Sequence, residues 1–225
     1  MKKLFYKKIG LGLLWIILLT VSGVSGWAQP FADEINAFKK QDSIHTPVRK
    51  PILFIGSSSF RLWKNIQNDF PGYPILNRAF GGSTLQDVIH YARVVIQPYR
   101  PKQIVIYCGE NDLASSDTVT PAIVLKRFEI LYHLIRQHYP KIPVVYVSIK
   151  PSPSRQHLMP KMVEANNLIR EFLKKKGKNV FVDVYNKMLK ADGTPMEDLF
   201  VDDKLHMNAK GYKIWQQEIQ KHLVK

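Results

Sequence analysis

The segment PILFIGSSS, residues 51–59, joins a short apolar run to a glycine and three serines. An apolar run of this length predicts a β-strand that is buried on both faces of a parallel sheet. Gly56 permits a tight turn, so a serine just past the strand projects its hydroxyl over the sheet edge. Serine needs an adjacent base to become a nucleophile, and a serine-rich turn or helix cap would have the same sequence. The segment therefore predicts a fold and leaves its chemistry open.

Four more apolar runs follow along the chain, and longer helical patterns separate them. Strands are predicted at the end of segment 71–77 and over 103–109, 143–149 and 179–184, and helices over 60–68, 84–97, 121–139, 161–176 and 208–222. Continuous apolar strands that alternate with helices indicate a parallel sheet covered on both faces. We therefore expect an α/β protein, a three-layer α/β/α sandwich with a five-stranded parallel sheet of flavodoxin-like type. In helix 121–139, the residues expected to share one apolar face are Ile123, Phe128, Leu131, Leu134 and Ile135.

The first 28 residues have the pattern of a secretory signal peptide. Four of the first eight residues are lysines, an apolar run covers 9–21, and small residues stand at 26 and 28. The run is shorter than the about 20 residues of a membrane span, although a retained anchor stays as an alternative. No cysteine follows it, which argues against a lipid-anchored lipoprotein. We expect an exported protein, periplasmic or secreted, with a helix and connecting loop over 29–50 and one domain over 51–225.

The chain is strongly basic, with a formal net charge of +15 at pH 7. Removal of the four signal-peptide lysines would leave +11 (15 − 4). Such a charge would suit anionic surfaces such as envelope polymers or lipid headgroups, but a solvated surface, with KKKGK at residues 174–178 closing a helix, is the favoured interpretation. No nucleic-acid partner is expected, because no Lys/Arg stripe interleaved with aromatic residues is present. No stable membrane partner is expected after signal cleavage, and the sequence does not predict an oligomeric state. The single cysteine, Cys108, lies in an apolar run that is typical of the core.

Polar clusters lie at the ends of the predicted strands, where open α/β sheets bind their ligands. The second strand leads into RAFGGS, residues 78–83, whose paired glycines let backbone N–H groups approach a ligand closely. The third strand ends in GEND, residues 109–112, where the Asn111 amide is a candidate donor to a developing oxyanion. Taken alone, each cluster would equally suit a turn or a loop before a capped helix.

The last cluster, DDKLH over residues 202–206, precedes the final predicted helix. Asp203 lies three residues before His206, a spacing that lets the acid hold one ring nitrogen while the other faces a nucleophile. Asp202 does not have that spacing. The other six histidines lack such an acid and are interpreted as ordinary residues of helices and flanking segments.

These four clusters, in this order, resemble the conserved blocks of the SGNH hydrolases, also called the GDSL-like lipase/acylhydrolase family. The resemblance extends from about residue 51 to residue 211. It implies that Ser58 is the nucleophile, His206 the general base and Asp203 the acid of a catalytic triad. It also implies an oxyanion hole formed by the backbone N–H groups of Ser58 and Gly82 and by the side chain of Asn111.

One position departs from the family pattern. The Gly-Asp-Ser after which the family is named reads Gly-Ser-Ser here, so Ser57 replaces the aspartate. The loop therefore lacks a negative charge, and Ser57 and Ser59 remain alternative nucleophiles.

The resemblance implies a serine esterase that cleaves short-chain esters, and acetyl groups on glycans are the expected substrates. No cofactor or metal is expected, because no metal-ligand spacing is visible in the sequence. The loop over residues 150–155 is expected to line the pocket, with Lys150 and Arg155 in contact with either substrate or solvent. Two alternatives remain open: an O-acyltransferase that uses the same residues, and a non-catalytic carbohydrate-binding domain.

Overall fold

A computed structural model describes residues 30–225, so the predicted signal peptide lies outside the described residues. Five parallel strands form one sheet in the order β2-β1-β3-β4-β5. The strands are β1 (Ile52–Gly56), β2 (Ile75–Asn77), β3 (Gln103–Tyr107), β4 (Val144–Val147) and β5 (Asn179–Val182). This sheet confirms the predicted flavodoxin-like α/β architecture.

Helices connect the strands, as parallel pairing requires. They are α1 (Ala32–Ile44), α2 (Ser58–Arg61), α3 (Ile66–Asp69), α4 (Leu85–His90), α5 (Ala92–Val95), α6 (Glu110–Ala114), α7 (Pro121–His138), α8 (Met159–Lys174) and α9 (Ala209–Gln220). Two predicted helices are each divided in two, 60–68 into α2 and α3 and 84–97 into α4 and α5. Short 3₁₀ turns cover Pro153–Leu158, Asn186–Met188 and Glu197–Leu199. No helix within residues 30–225 is long and apolar enough to cross a membrane.

Alternate side chains of the strands enter two separate cores. Leu53 and Ile55 of β1 pack on one side with apolar residues of α4, α5, α7 and α8. Ile52 and Phe54 pack on the other side with α2 and α9, where the rings of Phe60 and Trp215 meet edge to face at 5.7 Å. Because both faces of β1 are covered, its sequence is apolar throughout.

Helix α7 corrects one part of the predicted core. Its buried side chains include Val124, Phe128, Leu131, Tyr132 and Ile135, whereas Ile123 is 38% exposed. Residues at i−4, i+3, i+4 and i+7 from Phe128 share its face of the helix. That spacing selects Val124, and the prediction that Ile123 faces the core is therefore wrong.

Candidate active site

The polar clusters found in the sequence meet at the carboxyl-terminal edge of the sheet. Residues 57–59 follow β1, Gly82 follows β2, and Asn111 lies in α6 directly after β3. Gly56 allows the close approach of β1 to β3: its φ is +124°, and a Cβ there would lie 1.9 Å from the carbonyl oxygen of Tyr107. Only glycine fits this position, and the chain turns there so that Ser58 begins α2.

Ser58 and His206 are 148 residues apart in the sequence and in hydrogen-bond contact in the structure. The Oγ of Ser58 lies 2.9 Å from Nε2 of His206, and Nδ1 of the same ring lies 2.5 Å from Oδ2 of Asp203. A histidine held between a carboxylate and a hydroxyl is the arrangement that removes a proton from a serine. Ser57 and Ser59 are buried, and neither hydroxyl contacts the imidazole.

The Asp203 carboxylate is held by backbone N–H groups of its own loop. Oδ1 of Asp203 accepts the N–H groups of Leu205 at 2.9 Å and of His206 at 2.8 Å. Burial raises the pKa of Asp203 somewhat, but the backbone and ring N–H groups of His206 and the N–H of Leu205 outweigh it and lower the pKa from 3.8 to about 2. The carboxylate is therefore ionised at neutral pH, and 46% of its side chain is exposed to solvent.

Gly82 and Asn111 lie on the segments that follow β2 and β3, the two strands that flank β1 in the sheet. The side-chain nitrogen of Asn111 donates to Oγ of Ser57 at 2.7 Å and to the carbonyl of Ser83 at 3.1 Å. Gly82 has a φ of +71°, and its N–H has no hydrogen-bond acceptor within residues 30–225. The Gly82 N–H is thus unpaired among the described residues, whereas the amide hydrogens of Asn111 are held by neighbouring oxygens.

A group of buried charges behind Asn111 was not predicted. Lys150 is fully buried, and its Nζ donates to both carboxylate oxygens of Glu110, at 3.0 and 3.2 Å. The expectation that Lys150 contacts substrate or solvent is therefore wrong. Arg155 is 19% exposed and contacts Glu110 and Asn111. The available signal was a charged residue directly after an apolar strand, because such a residue enters the core only with a partner.

The site is open at the protein surface, with 24% of the His206 side chain exposed. A groove of about 750 Å³ lies at the other edge of the sheet, lined by residues 46–50 and 98–102. Residues 50 and 102 precede β1 and β3, so this groove is remote from Ser58. The candidate site is therefore marked by its hydrogen-bonded residues and not by this groove.

Comparison with known proteins places the chain in a family. A model of the GDSL-like Lipase/Acylhydrolase family matches residues 54–214. No functionally curated protein matches the sequence.

Solved structures share the fold at low sequence identity. A Streptococcus pneumonia protein, provisionally described as a platelet activating factor, has a TM-score of 0.75 and 19% identity over 85% of this chain and 92% of its own. A GDSL-like lipase from Bacteroides thetaiotaomicron has a TM-score of 0.69 and 20% identity, over 83% of this chain and 95% of its own. A carbohydrate esterase family 3 protein from Talaromyces cellulolyticus has a TM-score of 0.60 and 16% identity, over 76% of this chain and 94% of its own.

Proposed function

Because the chain belongs to the GDSL-like lipase/acylhydrolase family and is therefore a hydrolase of ester bonds, we propose that it cleaves short-chain esters through an acyl-enzyme on Ser58. The observation that carries this proposal is the hydrogen-bonded chain from Ser58 through His206 to Asp203. These three side chains come from two distant segments, and their contact places a base beside the hydroxyl.

In the proposed reaction, Nε2 of His206 takes the proton from Ser58 as Oγ bonds to the ester carbonyl carbon. The resulting oxyanion accepts hydrogen bonds from the N–H groups of Ser58 and Gly82 and from the Asn111 amide. The alcohol then leaves with the proton from His206, and the acyl group stays on Ser58. Water, deprotonated by the same ring, hydrolyses this acyl-enzyme, while the Asp203 carboxylate fixes the tautomer and stabilises the imidazolium.

We propose acetyl esters of glycans as the substrates. Two features support this choice. The exposed positions of Asp203 and His206 leave room for a large alcohol such as a sugar, and one structural neighbour is described as a carbohydrate esterase. In addition, the predicted export of the chain would bring it to extracellular or envelope glycans.

Reaction of the protein with a fluorophosphonate and with an aryl acetate tests the nucleophile. We expect covalent labelling at Ser58, and a loss of activity of at least about 10⁴-fold in Ser58→Ala. Ser43→Ala is the matched control, because its exposed hydroxyl only donates to Lys40 in α1. Undiminished labelling or activity in a folded Ser58→Ala variant would disprove the assignment.

A panel of acetylated glycans, lipids and aryl esters tests the substrate. The expected result is acetate release from an O-acetylated glycan with a higher kcat/KM than from the aryl ester. Preferential turnover of lipid esters would contradict the glycan proposal and leave the serine mechanism intact. Transfer of acetyl to an added sugar, in preference to water, would identify an acyltransferase instead.

A further inference from the structure

Behind the candidate oxyanion side lies a chain of charged groups that the proposed mechanism does not use. Glu110 is 4% exposed and Lys150 is fully buried. The carboxylate of Glu110 accepts from Lys150, Ser152 and the hydroxyl of Tyr107. A buried ion pair is costly to desolvate, and replacing it with apolar residues is often neutral or stabilising. Stability alone therefore does not explain why charges lie here.

Arg155 connects this buried pair to the candidate site. One of its terminal nitrogens, Nη1, lies 3.2 Å from Oε1 of Glu110 and donates to Oδ1 of Asn111 at 2.9 Å. A guanidinium has donors only, so this contact requires the amide oxygen of Asn111 to face Arg155. The amide nitrogen must then point away from Arg155, and it lies 2.7 Å from Oγ of Ser57, beside the proposed nucleophile.

The charge of the network also acts on the amide. A cation bound to an amide oxygen draws electron density from the nitrogen, which makes its N–H groups stronger donors. Burial raises the pKa of Glu110, but Lys150 and Arg155 outweigh this effect and lower it, so Glu110 is an anion. Burial also raises the pKa of Tyr107, which keeps the phenol neutral as a donor to Glu110.

We propose that Arg155, held by the Glu110 carboxylate, is a positioning residue that orients Asn111 and strengthens its amide as an oxyanion donor. This inference rests on the proposed function, because it assumes that the oxyanion forms on an ester attacked by Ser58. In the free protein the amide hydrogen is held by Ser57, and in the transition state the same hydrogen turns to the oxyanion. The network thus stabilises the transition state without touching the substrate.

A double-mutant cycle with an aryl acetate tests the proposal. Arg155→Met keeps the length of the side chain and removes its charge, and we expect kcat to fall about 10- to 100-fold with KM little changed. Asn111→Ala removes the donor, with an expected loss of about 10²- to 10³-fold. In the Asn111→Ala background, Arg155→Met should cost less than about twofold, because the group through which it acts is absent.

Two further variants separate positioning from folding. Arg155→Lys keeps one charged donor and should recover part of kcat, and it also serves if Arg155→Met does not fold. Arg170→Met is the matched control, because Arg170 pairs with Asp183 at 3.2 Å in a half-exposed contact on α8, and it should retain full activity. Thermal unfolding of each variant checks the fold.

Several results would overturn the inference. Additive losses in the double variant would show that Arg155 does not act through Asn111, and a change confined to KM would make it a substrate contact. An unchanged kcat in a folded Arg155→Met would also refute it. These results are distinct from failure of the proposed function, which would appear as activity in Ser58→Ala.

Discussion

The two sides of the candidate site are held in place by different forces. The Asp203–His206 side is a surface loop in which 46% of the acid is exposed, and the Asp203 carboxylate bonds only to residues within three positions of it. The Asn111 side depends on buried groups that are about forty residues apart, with Arg155 and Lys150 bound to the segment that follows β3. The Asp203 carboxylate thus depends on short-range contacts in an exposed loop, whereas Asn111 depends on long-range contacts with buried groups.

This difference predicts which substitutions lower activity and which lower the free energy of unfolding. An exposed ion pair contributes little to the free energy of unfolding because water screens it. A buried charge that loses its partner is expensive because nothing replaces the lost interaction. Substitutions on the triad side should therefore affect the reaction far more than stability, and substitutions behind Asn111 should affect both.

The largest effect is expected at Asp203. Asp203→Asn retains the shape of the side chain but removes the charge that stabilises the imidazolium, so we expect kcat to fall by about 10²- to 10⁴-fold. The free energy of unfolding should change by less than about 1 kcal/mol. Esterase kinetics and denaturant unfolding measure the two effects. A fall in the free energy of unfolding as severe as the fall in kcat would contradict the contrast between the two sides of the site.

A large loss of stability is expected at Glu110. Glu110→Gln leaves Lys150 buried without an anion, and we expect the free energy of unfolding to fall by about 3 kcal/mol. The double variant Glu110→Gln/Lys150→Met removes both charges and should regain much of that loss. Glu171→Gln breaks the exposed pair with Lys174 and should unfold like the unchanged protein. Equal unfolding curves for Glu110→Gln and Glu171→Gln would contradict the contrast.

A smaller effect is expected at Ser57, where the chain departs from the family pattern. Ser57→Ala removes the acceptor of the Asn111 amide in the free protein but not the proposed interaction with the oxyanion. We therefore expect about 1 kcal/mol less stability and a kcat within about threefold of the original. Ser43→Ala, on exposed α1, is the control in both assays. If Ser57→Ala abolishes activity, Ser57 takes part in the chemistry itself.

The smallest effect is the pH dependence of the triad loop. Because the folded-state pKa of Asp203, about 2, lies below its ordinary value of 3.8, the ionised carboxylate stabilises the folded state above about pH 4. That contribution disappears as the pH falls toward 2. The difference in Tm between the unchanged protein and Asp203→Asn should therefore shrink between about pH 5 and pH 2. A Tm difference that grows as the pH falls would contradict this prediction.

Much of the fold was predictable because its signals are local or periodic. Continuous apolar runs separated by helical patterns are sufficient for a covered parallel sheet, and all five strands occur where they were predicted. The error at Ile123 arose because several apolar residues on α7 allow more than one face, and only packing against the sheet selects Val124.

By itself, the sequence determined the order of the motifs along the chain, the residues at each strand end and the three-residue spacing of Asp203 and His206. These depend on hydrophobic pattern and short-range geometry, which one segment contains. Tertiary structure decided which serine meets the imidazole and that Lys150 is buried against Glu110. It also decided that Arg155 holds the oxygen of Asn111. Those contacts join separate segments, and a charge is drawn into the interior only when the folded chain brings its partner within reach.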